Sequence, residues 1–359
     1  MILMAVVVSM TTSSCSSIDP YTSSRPIRVK VSTEATKSSP ITDDNLSSFQ
    51  IIAVADDKWH DNRDGSQYEA GVYFKATANK DGSNWNLGEH LWLNNVNLHL
   101  WCFSPVLDDS DPYSAEGGRL SITPPSAGSD VLLFSYRLPN HVDGSDATNQ
   151  KDIVFAGNSE KRVFKGDGSF DSQNCTGSGS DENVDITFYH PLSEIQFAVS
   201  PDDGTFDTGG LKIVDIAISN IAGSGECSFS LPKTFEWTLG ERNKTYNQTV
   251  DATFDTKPDG WKESEFGDDK TLYTFSNSFF MIPQELTDAV LSVTFERRGD
   301  ESRVTKDVNL FDKGDNIWAP GKYYKYKISA THLGLVDINL RVTLSIHDWM
   351  SKSKETILE

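Results

Sequence analysis

Seven histidines, eight tryptophans, four cysteines and a surplus of carboxylates are the residues through which this chain could do chemistry. The histidines (His60, His90, His99, His141, His190, His332 and His347) show no metal-ligand spacing. His99 and His347 are expected on the polar faces of strands, and His190, just before Pro191, in a structural role at a strand end. A catalytic carboxylate pair is defined by a spatial separation of about 5–9.5 Å, so acidic residues alone do not identify a β-sandwich hydrolase. Asp108-Asp109-Ser110-Asp111 and Asp202-Asp203-Gly204 have the hard oxygen ligands calcium prefers. Neither matches an EF-hand loop, and both read as solvated acidic loops. There is no G-x-S-x-G elbow, no H-E-x-x-H, no phosphate-binding Walker loop and no G-x-G-x-x-G after a strand. The expectation is a protein that is not an enzyme and that carries no cofactor and no metal. Aromatic faces could stack on sugars, which makes Trp85 and Trp92 candidates for a surface glycan-binding lipoprotein, the alternative function. Trp59, Trp101, Trp237, Trp261, Trp318 and Trp349 read as core or strand-end residues.

Charge narrows the partners. Lys and Arg total 32 against 52 Asp and Glu, a formal net charge of −20. That excess opposes binding to nucleic acid or anionic lipid, both of which need a positive field. At the N-terminus an apolar run, Met1–Met10, leads through Thr11, Thr12, Ser13 and Ser14 to Cys15. The run is far shorter than the roughly 20 residues of a membrane span and fits a secretory signal. A cysteine directly after small residues resembles a lipoprotein signal, in which cleavage precedes the cysteine and acyl chains such as palmitate are attached to it. The other reading of this run is a buried N-terminal strand. With Cys15 acylated, Cys102, Cys175 and Cys227 permit at most one disulfide, and Cys102 reads as a core thiol.

Period-two alternation dominates the rest of the chain. Ile27, Val29 and Val31 alternate with Arg28, Lys30 and Ser32, and Leu98, Leu100 and Cys102 alternate with Asn97, His99 and Trp101. The pattern recurs at Val184–Phe188, Ile195–Val199, Val214–Ile218, Leu291–Phe295 and Tyr324–Ile328. The longest run is Val336, Ile338, Leu340, Val342, Leu344 and Ile346. Because successive strand side chains point to opposite faces, each run predicts one wet and one dry face. No convincing amphipathic helix exceeds about three turns. The fold class is therefore all-β. Residues 15–25 read as a polar tether, and the Gly-, Ser- and Asp-rich stretch from Gly166 to Asn183 as the domain boundary. The polar stretches Asp108–Gly118 and Val142–Lys151 read as surface loops.

Several segments together resemble the fimbrillin family, the subunits of type V pili. Phe188-Tyr189-His190-Pro191-Leu192-Ser193-Glu194-Ile195-Gln196-Phe197 is similar to the strand that opens the family's second domain. Phe280-Met281-Ile282-Pro283-Gln284-Glu285-Leu286 is similar to its I-P-Q-x-L turn. Trp318-Ala319-Pro320-Gly321-Lys322-Tyr323-Tyr324-Lys325-Tyr326 is similar to its near-terminal W-x-P-G-K-x-Y-x-Y strand. Trp101–Pro105 and Asp152–Ala156 resemble first-domain segments, and Trp349 matches a tryptophan close to the end.

The resemblance implies two tandem transthyretin-like (Greek-key) β-sandwich domains, at residues 26–179 and 180–359, after a lipoprotein signal peptide at 1–14. It implies a structural or adhesive pilus subunit, lipid-anchored through Cys15 at the outer membrane and exposed at the cell surface. Its expected partners are other pilin subunits, a trypsin-like processing protease and a host or glycan surface ligand. In the family a protease removes the first strand, and a neighbour's strand fills the vacated groove. Carried to this chain, Ile27, Val29 and Val31 belong to the removable strand. Lys37 is the first candidate cleavage residue, with Arg28 and Arg25 as alternatives; Arg25 precedes Pro26, which trypsin-like enzymes cut poorly. Residues 26–33 remain in place if the chain is an uncleaved anchor. The run Val336–Ile346 is either a donor strand or the last permanent strand of the second domain.

Overall fold

A computed structural model describes residues 22–33, 41–42, 45–60, 66–93, 95–107, 119–138, 150, 152–162, 183–199, 211–253, 273–274, 278–297, 299, 301–313, 316–332 and 338–348. Among these, all regular structure is β apart from one 3-10 turn at Leu310–Lys313. The first large layer is a five-stranded sheet ordered β12 (Val154–Lys161), β9 (Asn97–Ser104), β3 (Ser48–Ala55), β6 (Gly71–Asp81) and β7 (Asn84–Asn86). One of its faces is closed by two narrow ladders. In the first, β1 (Thr22–Pro26) pairs with β8 (Leu91–Leu93); in the second, β2 (Arg28–Thr33) pairs with β13 (Asn183–Phe188). Phe49, Ile51, Leu98, Leu100 and Cys102 from the sheet share this core with Ile27, Val29, Trp92, Val184, Ile186 and Phe188. A small ladder of β4 (Trp59–His60) and β5 (Gln67–Tyr68) adds Trp59 to it, with the Tyr68 ring stacked at 4.3 Å.

The sheet's opposite face is covered too. A four-stranded sheet ordered β10 (Arg119–Thr123), β11 (Val131–Arg137), β16 (Ser224–Ser230) and β17 (Thr234–Leu239) lies over it. Trp101 meets Phe229 edge-on at 5.7 Å, and Phe155 stacks on Phe134 at 4.1 Å. The alternation in β9 therefore separates two dry faces, not one wet and one dry. His99, expected on a polar face, is 3% exposed. Its Nε2 lies 3.1 Å from Asp56 Oδ2, and Asn97 Nδ2 donates to the same carboxylate oxygen at 2.7 Å. A central strand between two layers must satisfy its polar side chains internally.

The remaining strands form a second sandwich. One sheet runs β19 (Tyr273–Thr274), β14 (Ser193–Val199), β25 (Lys322–His332) and β26 (Ile338–Asp348), with β20 (Phe279–Met281) also on β14. The other runs β18 (Lys244–Thr253), β15 (Leu211–Ile221), β22 (Val290–Arg297) and β23 (Arg303–Asn309). Ile195, Phe197, Tyr324, Tyr326 and Ile328 pack in one core with Ile216, Ile218, Leu291, Val293 and Phe295. All seven residues of β14 are buried, again in place of the expected alternation. A two-residue ladder of β21 (Gln284–Glu285) and β24 (Ile317–Trp318) brings two of the sequence motifs together. Gln284 Oε1 accepts from Ala222 N–H at 2.8 Å, and Trp318 Nε1 donates to the Tyr326 hydroxyl at 3.0 Å. These motif residues are fastenings of the fold.

Two features cross a division at 179/180. Strand β13 lies beyond it in sequence, yet its side chains belong to the first core. The four-stranded sheet joins the β10–β11 hairpin to β16–β17 by the ladder β11–β16. Its inner face belongs to the same hydrophobic cluster as the second sandwich.

Cys102 and Cys227 are free thiols buried in different cores. Burial pushes both thiols well above the ordinary cysteine range, leaving no reactive thiolate at pH 8. Iodoacetamide at pH 8 is expected to leave both unmodified until denaturant unfolds the chain, as read by peptide mass. Alkylation of Cys102 in native buffer would mean that the first core opens locally.

Candidate functional site

The removable strand predicted from sequence has an unusual setting. Its first part, β1, runs antiparallel to β8, with Thr22 opposite Leu93 and Pro26 opposite Leu91. At Ile27 the chain changes partner: the Ile27 N–H donates to His90 O at 2.7 Å. The second part, β2, then runs parallel to β13 through six pairs, from Arg28–Asn183 to Thr33–Phe188. Parallel neighbours need a long connection, and here 155 residues separate Ser32 from Thr187, whose hydroxyls meet at 3.2 Å.

The side chains divide as the alternation predicts. Ile27 and Val29 are 3% and 7% exposed, Val31 is half-buried against the same core, and Arg28, Lys30 and Ser32 face solvent. The core they complete is aromatic. Phe49 meets Phe188 edge-on with ring centres 5.2 Å apart, and Trp85 packs on Phe49 at 5.0 Å. Trp92 is fully buried, with the Arg162 guanidinium 4.3 Å over its ring, and Glu160 pairs with that guanidinium at 2.7 Å. Burial removes Trp92 from any sugar-binding surface, and Trp85 is half-buried by its packing on Phe49. Lifting out β1 and β2 would leave an apolar trough with the unpaired edges of β8 and β13 along its sides.

The other predicted positions are scattered. Arg28 sits within the β2 ladder and Arg25 within β1. Cys15, Lys37, Val336, Trp261, Trp349 and both acidic loops lie outside the described residues. The described part of the long C-terminal alternation is β26, which is zipped antiparallel to β25 through eleven pairs. Ile338 and Val342 are buried, Leu340 and Leu344 pack partly on the core, and Ile346 is 39% exposed. Among the described residues, no three His, Cys, Asp or Glu side chains come together as a metal site.

Sequence reasoning missed a buried contact between a histidine and an aspartate beside the trough. His190 Nδ1 lies 2.7 Å from Asp152 Oδ2, both side chains being fully buried. The same oxygen accepts the Ile41 N–H at 3.0 Å. The only hint in the sequence was a histidine and an aspartate within strongly apolar stretches.

Comparison with known proteins places this architecture. No curated protein matches the sequence. Among solved structures, a fimbrial protein from Bacteroides vulgatus is similar over 92% of this chain and 99% of its own, with 12% identity and a TM-score of 0.53. A fimbrilin from Porphyromonas gingivalis is similar over 90% of this chain and 97% of its own, with 10% identity and a TM-score of 0.40. At such identities the first likeness speaks to the fold alone. The sequence itself matches the family model described as fimbrillin-like over residues 168–349, just over half of the chain. The chain belongs to the fimbrillin-like family.

Proposed function

We propose that this protein is a structural or adhesive subunit of a bacterial surface pilus, assembled by protease-triggered strand exchange. It catalyses no reaction and needs no cofactor in that role. The observation that carries the reading is the setting of residues 22–33: Ile27 and Val29 complete the first core, yet among the described residues β1 and β2 each pair along a single edge. A strand so placed can leave without dismantling any central sheet. What it leaves is an edge of unpaired backbone groups over apolar pockets, and an alternating strand from a neighbour satisfies both. Because that contact is heterologous, it continues from subunit to subunit and yields a filament. Strand β26 is either that donor or the closing strand of its own sandwich; to donate it would have to leave its eleven-pair ladder.

Processing is assigned to the segment between Thr33 and Ile41, which holds Lys37. Arg25 and Arg28 stand within ladders, where cleavage is disfavoured. Export as a lipoprotein is supported by the apolar run ending at Cys15, with the acylated cysteine as the only membrane attachment. The test is to treat the chain from Ser16 onward with trypsin, then examine it by mass spectrometry and an unheated gel. A single cut at Lys37 followed by a ladder of oligomers is expected. A cut product that stays monomeric at high concentration would overturn strand exchange.

A further inference from the structure

Removal of β2 takes from β13 the one ladder it makes among the described residues. Strand β13 is nevertheless the wall on which an incoming strand must align. Just past its end, one isolated bridge among the described residues ties Tyr189 to Phe155 of β12, which exchange N–H···O bonds of 2.9 and 2.8 Å. Near its start, Arg162 Nη2 donates to Asn183 O at 3.4 Å and Asn158 Nδ2 to Asp185 O at 3.5 Å, both long bonds. Just past its end stands His190, against the Asp152 carboxylate. The next two residues are tied elsewhere: Trp237 Nε1 donates to Pro191 O at 3.0 Å, and Gly321 N–H to Leu192 O at 2.9 Å.

A buried carboxylate is costly unless donors satisfy it. Asp152 Oδ2 accepts the Ile41 N–H at 3.0 Å and lies 2.7 Å from His190 Nδ1, so one buried carboxyl group meets two separate segments. Ile41 is the first described residue after the 34–40 segment, and His190 follows the strand that β2 leaves. A cut anywhere between Thr33 and Ile41 leaves all three residues on the body of the protein.

Resting on the strand-exchange reading above, we infer that Asp152 and His190 are positioning residues for the acceptor strand. They form a clasp that fastens the end of β13 and the trimmed N-terminal edge to β12 after β2 has gone. While β2 is present, Thr33 opposite Phe188 holds the same end of β13, so the clasp is redundant. Its effect appears only in the processed subunit, and that condition separates it from a general contribution to folding.

The experiment uses the full chain with a specific protease site placed between Thr33 and Ile41. After nicking, the resident strand is exchanged for a fluorescent peptide of residues 22–33, and binding is followed by anisotropy. Wild type is expected to take up the peptide. Asp152→Ala is expected to bind it about tenfold more weakly, the loss of roughly one buried hydrogen bond. Its unnicked form should resist protease as wild type does. Asp152→Asn keeps the shape of the side chain and an oxygen able to accept the Ile41 N–H, and should restore binding. His190→Ala removes one of the two contacts of Asp152 and should fall between, which keeps the test open if Asp152→Ala fails to fold. Equal peptide affinity in nicked wild type and both alanine variants would overturn the clasp. Equal losses in Asp152→Asn and Asp152→Ala would assign the effect to charge and also overturn it. Nicked wild type that takes up no peptide would instead sink the strand-exchange reading.

Discussion

Replacing Val29 with aspartate is expected to expel β2 from the intact chain and to make an unprocessed subunit behave as a processed one. Val29 is 7% exposed in the aromatic core that includes Phe49, Trp92 and Phe188. Burying Ile27 and Val29 contributes about 1.5–3 kcal/mol each, and the ladder to β13 adds about 0.5–1.5 kcal/mol per hydrogen bond. Against this, fixing each residue of the strand costs about 1–2 kcal/mol. The terms nearly cancel, so β2 is held by a small margin. An unpaired carboxylate in that core costs about 3–5 kcal/mol, more than the margin, while the sheets behind the strand keep all their own ladders. The variant should therefore remain folded, lose protection of residues 22–33 in hydrogen exchange, and take up the 22–33 peptide without any cut. Lys30→Asp, on the solvent face one residue away, should change none of these. A Val29→Asp chain that still protects β2 would mean that the backbone ladder alone holds it, and the removable-strand reading would lose its physical basis.

The alternation that made β2 and β26 legible is a local signal, and it carried both the strand positions and their inward faces. Ile27, Val29 and Val31 read inward because their neighbours Arg28, Lys30 and Ser32 are polar. The same rule misassigned β9. Asn97, His99 and Trp101 look like a wet face, but a second sheet lies over them, and only Trp101 hinted at it. Partner choice was not legible at all. Nothing near Ile27 says that the chain switches from β8 to β13, since that depends on residues more than 150 positions away. The shared sheet of β10–β11 with β16–β17 was hidden for the same reason. The family motifs were legible as patterns but not as roles. Gln284 and Trp318, which carried the resemblance, satisfy buried polar groups of the fold, while Asp152 and His190 became visible as a pair only through their 2.7 Å contact.

Phe155→Ala is expected to be the most destabilising single truncation, and to lower the stability of both halves together. The ring is fully buried where the first sheet meets the four-stranded sheet. It stacks on Phe134 at 4.1 Å and lies within about 6.0 Å of both Phe103 and Phe229. Phe134 and Phe229 stand on strands that come from either side of the 179/180 division, so the cavity would open in a core the two halves share. Truncating a buried phenylalanine costs about 3–5 kcal/mol, a large part of the 5–15 kcal/mol that typically holds a domain together. The backbone bridge from Phe155 to Tyr189 does not depend on the side chain, so the trough beside β13 should keep its shape below the melting temperature. Unfolding followed by tryptophan fluorescence and by far-UV circular dichroism should give one coincident transition in wild type, displaced as a whole in the variant. Two separated transitions, only one of them shifted, would show that the sandwiches unfold independently. The subunit would then transmit force along a filament through a yielding joint, whereas a single shifted transition makes it one stiff element from the β2 trough to β26.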